Sequence, residues 1–510
     1  MGQKHVGSLR FAWYCSLRIF ARYAGVSFLI SIFKFFETKP SFSYTLISII
    51  RNFEIIMIAS PPKELINNPL QLALEKHSEH LKEYIELLSP TDNKGRYLHY
   101  DQLRYRFSKD LDKDLAWSIV KTARLRQLKR ILPLGDSNEV GRFFLTSNIQ
   151  KAISETDRNT TSASLEWMCS KIGEEKHLEY LLNDLVEDEA ISSSQLEGAA
   201  TTTEVAKDLL KRKRKPRSLD EKMIIGNFKM MNFAWENREK DLTLDFIRDL
   251  HQIGVDGIDD DNYTPGVFRK TDDVKVVDAE GNIVHQPPLA ENLKARLKKV
   301  CSWVNKCHHD TDNRDYFHPL VKAIIIHFLI GFEHPFRDGN GRVARALFYW
   351  YMFKNDFSAF RYITISLLLK NAPIQYGKSY LYTESDEMDL TYFIDYQCSI
   401  IIRAINKFKG SYQRTLKEAE EFNVWLWKSG LYKKLSDKQQ KIFQVARSGV
   451  AHVFTASNVK ENLGCSYNTA SSALNGLVDM KLFKKEKQGR EWVFSMVSQK
   501  KILKDWNAKK

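Results

Sequence analysis

The stretch His334-Pro335-Phe336-Arg337-Asp338-Gly339-Asn340-Gly341-Arg342-Val343-Ala344-Arg345 places a base, a hard carboxylate, a glycine-rich turn and several cations within twelve positions. Histidine titrates near neutrality, so the imidazole of His334 can take a proton from an attacking hydroxyl. Asp338 offers an oxygen ligand suited to Mg²⁺ on a di- or triphosphate. Gly339 and Gly341 free the backbone for close approach, and the N–H groups at the head of the following helix can cradle phosphate oxygens. Arg342 and Arg345 lie three apart, on neighbouring positions of one helical face, and each can fork onto phosphate. Any one of these residues alone fits a solvated loop or a structural histidine; the whole constellation points to nucleotide chemistry.

His334 to Arg345 resembles the Fic motif, His-Pro-Phe-x-Asp-Gly-Asn-Gly-Arg-x-x-Arg, and matches it at every fixed position. The preceding apolar helix with His327 is similar to the approach to that motif. The resemblance implies a protein adenylyltransferase, moving AMP from Mg·ATP to a Ser, Thr or Tyr hydroxyl of a target protein. By the same resemblance His334 is the general base and Phe336 anchors the loop. Asp338 holds Mg²⁺, Gly339, Asn340 and Gly341 hold the α- and β-phosphates, and Arg342 and Arg345 meet the outer phosphates. Phe336 and Arg337, the latter at the variable position, complete the nucleotide-binding set. In the Doc-like kinase branch a Lys replaces Gly341, so Gly341 favours AMP transfer. Ser193-Ser194-Gln195-Leu196-Glu197-Gly198 resembles the family's inhibitory helix, Ser/Thr-x-x-x-Glu-Gly/Asn. That likeness implies a regulatory set of Ser193, Glu197 and Gly198, with Glu197 pairing with Arg345 and withdrawing it from the γ-phosphate. A carboxylate at hydrogen-bond distance competes for the same guanidinium fork.

Pro265-Gly266-Val267-Phe268-Arg269 through Pro287-Pro288 resembles the family's flap, which registers a target segment by strand pairing. The resemblance covers roughly residues 63 to 390. Downstream of the motif the chain departs from the pattern: Tyr376, Tyr380 and Tyr382 are the aromatic candidates for an adenine pocket. Two other readings stay open. One is a nucleotide-sensing, DNA-binding regulator without turnover; the other is AMP removal, or transfer of a group such as UMP, by the same site.

The elements that must position these residues are mostly helices. Leu70, Leu74, Leu81, Tyr84, Ile85 and Leu88 recur at helical offsets, and helical texture runs from about 63 to 250, through 164–185, 221–235 and 242–253. Val274, Val276 and Val277, then a Gly281-Asn282 turn and Ile283-Val284, predict a β-hairpin. Residues 318–331 predict a helix apolar on most sides, broken at Glu333-His334-Pro335, with a second helix from near Gly341. Helices at 437–446, 455–463 and 468–480, with Ser466 as an N-cap, precede a basic strand-turn-strand over 481–496. That order predicts a winged helix-turn-helix. Ser466, Asn468, Thr469 and Ser472 would face outward, and Lys484, Lys485, Lys487 and Arg490 would form a basic wing able to meet DNA or a protein partner.

The fold class expected is therefore mainly α: a Fic-type helical bundle with a β-hairpin flap, plus a C-terminal winged helix-turn-helix domain. Its parts are a helical region with the inhibitory motif (63–240), a catalytic core with the flap (241–390), a helical linker (391–433) and the winged helix (434–498). Residues 1–56 read as an extension of different character, rich in Phe, Ile, Ser and Arg. Translation beginning at Met57 is the expectation there, a membrane-associating arm the runner-up. Its apolar runs are too short to span a bilayer.

The 510 residues are 43% hydrophobic and 27% charged, ordinary for a soluble globular chain, and the net charge of +14 favours anionic partners. Six scattered cysteines without a CxxC pair fit a reducing, cytoplasmic setting; Cys301, Cys307, His308 and His309 match no zinc spacing. The basic run Lys211 to Arg217 reads as a solvated loop. A homodimer is left open.

Overall fold

The computed structural model describes residues 58–137, 139–172, 187–211, 214–259, 263–277, 283–308, 316–447, 453–488 and 491–507. The extension at 1–56 and the segment 173–186 lie outside these. Ile58–Val276 and His285–Lys510 form one compact unit; the described part of the other is Val277, Ile283 and Val284 of a hairpin.

Helices dominate, as the periodicity predicts. Single turns aside, they begin with α1 (Pro69–Lys76), α2 (Leu81–Glu86) and α3 (Lys113–Leu125). The strands β1 (Lys129–Leu134) and β2 (Glu139–Phe143) follow, then α4 (Ser147–Asn159) and α5 (Ser162–Ile172). Next come α6 (187–196), α7 (Thr203–Lys211), α8 (Leu219–Glu236) and α9 (Leu244–Val255). The antiparallel pair β1–β2 interrupts the helical texture expected between 63 and 250. Leu132, Leu134 and Phe143 point into the core from a two-stranded ribbon, where Pro133 removes no ladder bond that an interior strand would need.

The predicted hairpin is present as β3 (Val276–Val277) and β4 (Ile283–His285). Beyond it lie α10 (Leu293–Asn305), α11 (Pro319–Glu333), α12 (Asn340–Lys354), α13 (Ser366–Lys370), α14 (Pro373–Ser385) and α15 (Thr391–Lys428). Helix α11 starts where the chemistry asks it to: Pro319 sits in its first turn, and the His318 imidazole accepts the Leu320 amide. Leu320 to Ile330 is buried on every side, so α11 is the central rod of the main core, with α12 beside it.

Helix α15 spans 38 residues and belongs to two cores. Phe393, Ile401 and Phe408 pack in the main core, whereas Phe422 and Leu426 pack in a second one. That second core also holds α16 (Asp437–Arg447), α17 (Ala456–Leu463), α18 (Tyr467–Asp479), β5 (Phe483–Gln488), β6 (Glu491–Met496) and α19 (Gln499–Asn507). The element order is the one the sequence predicts for 434–498. Among the described residues no helix is long and apolar enough to cross a membrane.

The basic run at 211–217 departs from the solvated-loop expectation at Arg214. Its guanidinium forks onto Glu221 at 2.6 and 2.7 Å, and that partner pulls the carboxylate down to about 2.

Candidate active site

The loop between α11 and α12 is fixed from inside. His334 ends α11 in the left-handed region (φ 46°), its amide still bonded to Ile330 O. Phe336 is fully buried and lies flat on His251, ring centroids 3.7 Å apart and planes 4° from parallel. The Asn340 side chain accepts the Phe336 amide at 2.8 Å and donates to Phe336 O at 2.8 Å. Gly339 (φ 83°) then opens α12. The Asn340 side chain is thereby committed to the loop itself. The phosphate contact expected from the motif would then fall to the backbone N–H groups of the first turn.

Two residues outside the motif hold this loop from below. The Gly266 amide donates to His251 Nδ1 at 3.0 Å, so the ring proton sits on Nε2 and is donated to Asp338 O, also 3.0 Å away. Burial lowers the His251 pKa to about 4, which keeps the ring neutral and both bonds intact. The second is Arg269. Its buried guanidinium donates to the carbonyls of His334 (2.9 Å), Glu333 (3.3 Å) and Pro288, and its own amide donates to Pro335 O. Sequence reasoning missed His251. The available signal was a histidine on the apolar face of α9, beside Ile247, Leu250 and Gly254.

His334 presents a base. Its Nδ1–H donates to Gly331 O at 3.1 Å, leaving Nε2 as the lone-pair nitrogen, and burial lowers its pKa to about 4. Tyr376 and Tyr380 lie behind this point: Tyr376 Oη meets His327 Nε2 at 2.8 Å, and the Tyr380 hydroxyl fills the space next to Gly331. Tyr382 is not with them. It stacks on His99 at 4.4 Å and bonds to Asp101, in the cluster with Tyr97 and Tyr392.

The arginines differ in kind. Arg342 and Arg345 are each 1% exposed. Arg342 donates to Gly254 O, while among the described residues its Nε and Nη2 meet no acceptor. Arg345 donates to the Ser193 hydroxyl (2.9 Å), Ser193 O (3.1 Å) and Glu197 Oε1 (2.8 Å), and its Nη1 likewise meets none. Burying guanidinium N–H groups without partners is costly, and these donors can be answered by an anion. Arg337 stands apart: it is exposed and paired with Asp273 at 2.6 Å, outside the buried pair.

Glu197 reaches Arg345 from the turn after α6, with Gly198 at φ 99° closing that turn. The approach depends on Gly341, because a Cβ there would sit 2.3 Å from Glu197 Oε1. The helix is anchored at both ends. The buried Glu189 carboxylate accepts the Ser366 amide at 3.0 Å and its hydroxyl, and Lys370 donates to Gln195 at 2.7 Å.

Asp338 is half-buried, and the Gly339 amide donates to its Oδ1. Among the described residues there is no cluster of three or more His, Cys, Asp or Glu side chains shaped to hold a metal ion on its own. One carboxylate does fit Mg²⁺ that arrives on a polyphosphate, which keeps waters and takes one or two protein oxygens.

Residues 241–352 match the sequence model of the Fic/DOC family. The chain carries a Fic domain. It is 27% identical over 117 residues to a uridine 5'-monophosphate transferase of Xanthomonas campestris pv. campestris, covering 23% of this chain and 22% of that protein. It is 33% identical over 63 residues to the protein adenylyltransferase Fic of Nematostella vectensis, covering 12% of this chain and 14% of that protein. The chain thus spans less than a quarter of the length of these curated relatives. Among solved structures, a Fic family protein from Desulfovibrio desulfuricans G20 superposes with a TM-score of 0.44 at 16% identity, covering 69% of this chain and 97% of that one. The Fic domain therefore contains the loop, His251, Arg269 and both buried arginines, while Glu197 reaches it from outside the matched residues.

Proposed function

We propose that this protein is a nucleotidyltransferase that moves AMP from Mg·ATP to a Ser, Thr or Tyr hydroxyl of a target protein, and that Glu197 restrains it. The observation that carries this reading is the pair of buried arginines with unanswered N–H groups, set on the first turns of the helix that follows His334. In the reaction the target oxygen bonds to the α-phosphorus, and the bond from that phosphorus to the β-bridging oxygen breaks. Pyrophosphate leaves, and the hydroxyl proton passes to His334 Nε2. Arg342, Arg345 and the α12 amides would hold the phosphates; positioning and charge neutralisation supply the rate. Asp338 would hold Mg²⁺, which when bound neutralises phosphate charge. Glu197 occupies one edge of Arg345, so the outer phosphate must displace it.

Transfer of UMP by the same residues is the second reading, favoured by the name of the Xanthomonas relative. The deciding experiment incubates the protein and its Glu197→Gly and His334→Ala variants with α-labelled ATP and, separately, α-labelled UTP. Label should pass to protein with one nucleotide, rise in Glu197→Gly and vanish in His334→Ala, which should still bind nucleotide. Absence of transfer from both nucleotides in Glu197→Gly refutes the proposal.

A further inference from the structure

We infer that the C-terminal module binds duplex DNA, through α18 and the side of the β5–β6 hairpin that faces it. Helices α17 and α18 are joined by a tight turn: Gly464 ends α17 in the left-handed region (φ 58°), and Ser466 caps α18 by accepting the Thr469 amide at 3.1 Å. Ala470, Ala473, Leu474 and Leu477 bury one face of α18. The opposite face presents Tyr467, Asn468, Thr469 and Ser472 to solvent, polar and without acids over these first two turns; the one acid of α18, the exposed Asp479, is its last residue. An apolar or acidic face would have suited a protein partner. Asn468 and Ser472, four apart, project from the same stripe near the helix N-terminus, where side chains reach base edges in a major groove.

The hairpin is asymmetric in charge. Cross-strand pairing sets Lys485 opposite Phe494 and Lys487 opposite Trp492, and side chains at alternate positions share a face. One face therefore carries Lys485, Lys487 and Trp492. The other carries Lys484, Glu486 and Glu491, where Lys484 is already paired with Glu486 at 2.8 Å. The first face is tied to α18, because Lys485 donates to Asn475 Oδ1 at 2.9 Å and lies 4.5 Å from the centre of the Trp492 ring. Trp492 is nonetheless 48% exposed, and Lys487 is exposed beside it. Polar helix face, exposed indole and lysine thus form one continuous surface, whereas the acids of the hairpin are on its back. Arg490, also expected in the wing, lies outside the described residues.

The test uses the full chain and a fluorescent duplex of random sequence about two helical turns long, with the same strand unpaired and a matching RNA duplex as competitors. The duplex should bind, and Lys487→Gln should lower the slope of log K against log salt by about one. Lys484→Gln, on the back face, should leave the slope unchanged. Selection from a random duplex pool should enrich a motif whose advantage over the unselected pool falls about tenfold in Asn468→Ala. Circular dichroism confirms that each variant is folded. Failure to bind duplex at low salt, equal loss from Lys484→Gln and Lys487→Gln, or preference for the single strand or RNA overturns the inference.

Discussion

Glu197→Gly should tighten nucleotide binding by a factor that the structure lets one estimate. The wild-type chain must break the 2.8 Å bond between Glu197 and Arg345 before a phosphate can take its place. Breaking a fully buried ion pair costs about 3–5 kcal/mol. Here Arg345 is 1% exposed but Glu197 is 25% exposed, so water solvates the released carboxylate, and Arg345 keeps its two bonds to Ser193. A net cost of about 2 kcal/mol is reasonable, which corresponds to roughly 30-fold in affinity. Glu197→Gln retains the shape without the charge and should fall between, at roughly fivefold. The assay is calorimetric titration of Mg·ATP into each variant on a His334→Ala background, which stops turnover during the measurement. Affinities within about threefold of one another would show that Glu197 does not compete for the phosphate site, and the restraint argued here would fail.

Gly341→Ala places a methyl where Glu197 Oε1 now lies, so it should weaken the same contact from the other side. In a denaturant double-mutant cycle with Glu197→Gly the two stability losses should be sub-additive by more than about 0.5 kcal/mol; strict additivity refutes the link. His251→Phe keeps the ring stack on Phe336 but strands the buried Gly266 amide, which should cost about 1–3 kcal/mol at neutral pH and reduce label transfer. That deficit is pH-dependent with a defined sign. Burial lowers the His251 pKa from 6.5 to about 4, so the stability its neutral ring contributes is whole above pH 6.5 and drains away as pH falls toward 4. The difference between wild type and His251→Phe should therefore shrink by up to about 3 kcal/mol over that window, read from urea midpoints. A difference that stays constant with pH removes His251 from the argument.

Short-range physics made much of this protein legible in its sequence. Twelve consecutive residues carry their own turn, helix start and chemistry, so the loop from His334 to Arg345 could be read directly. The helices on either side are fixed by apolar runs, and α18 by its Ser466 cap. The Glu197–Arg345 pairing was expected only by resemblance, since 148 positions separate the two residues; the fold brings them together. Contacts between distant segments were not legible. Nothing local says that His251 stacks on Phe336, that Arg269 gathers the carbonyls of Pro288, Glu333 and His334, or that Arg337 turns outward to Asp273 while Arg342 and Arg345 turn in. The β1–β2 ribbon was hidden for the same reason, because its strands are held by a core supplied by other elements. Sequence spacing sets which face of a helix a side chain occupies. What waits opposite that face, and whether a charge there is answered or left for a ligand, is decided by tertiary packing alone.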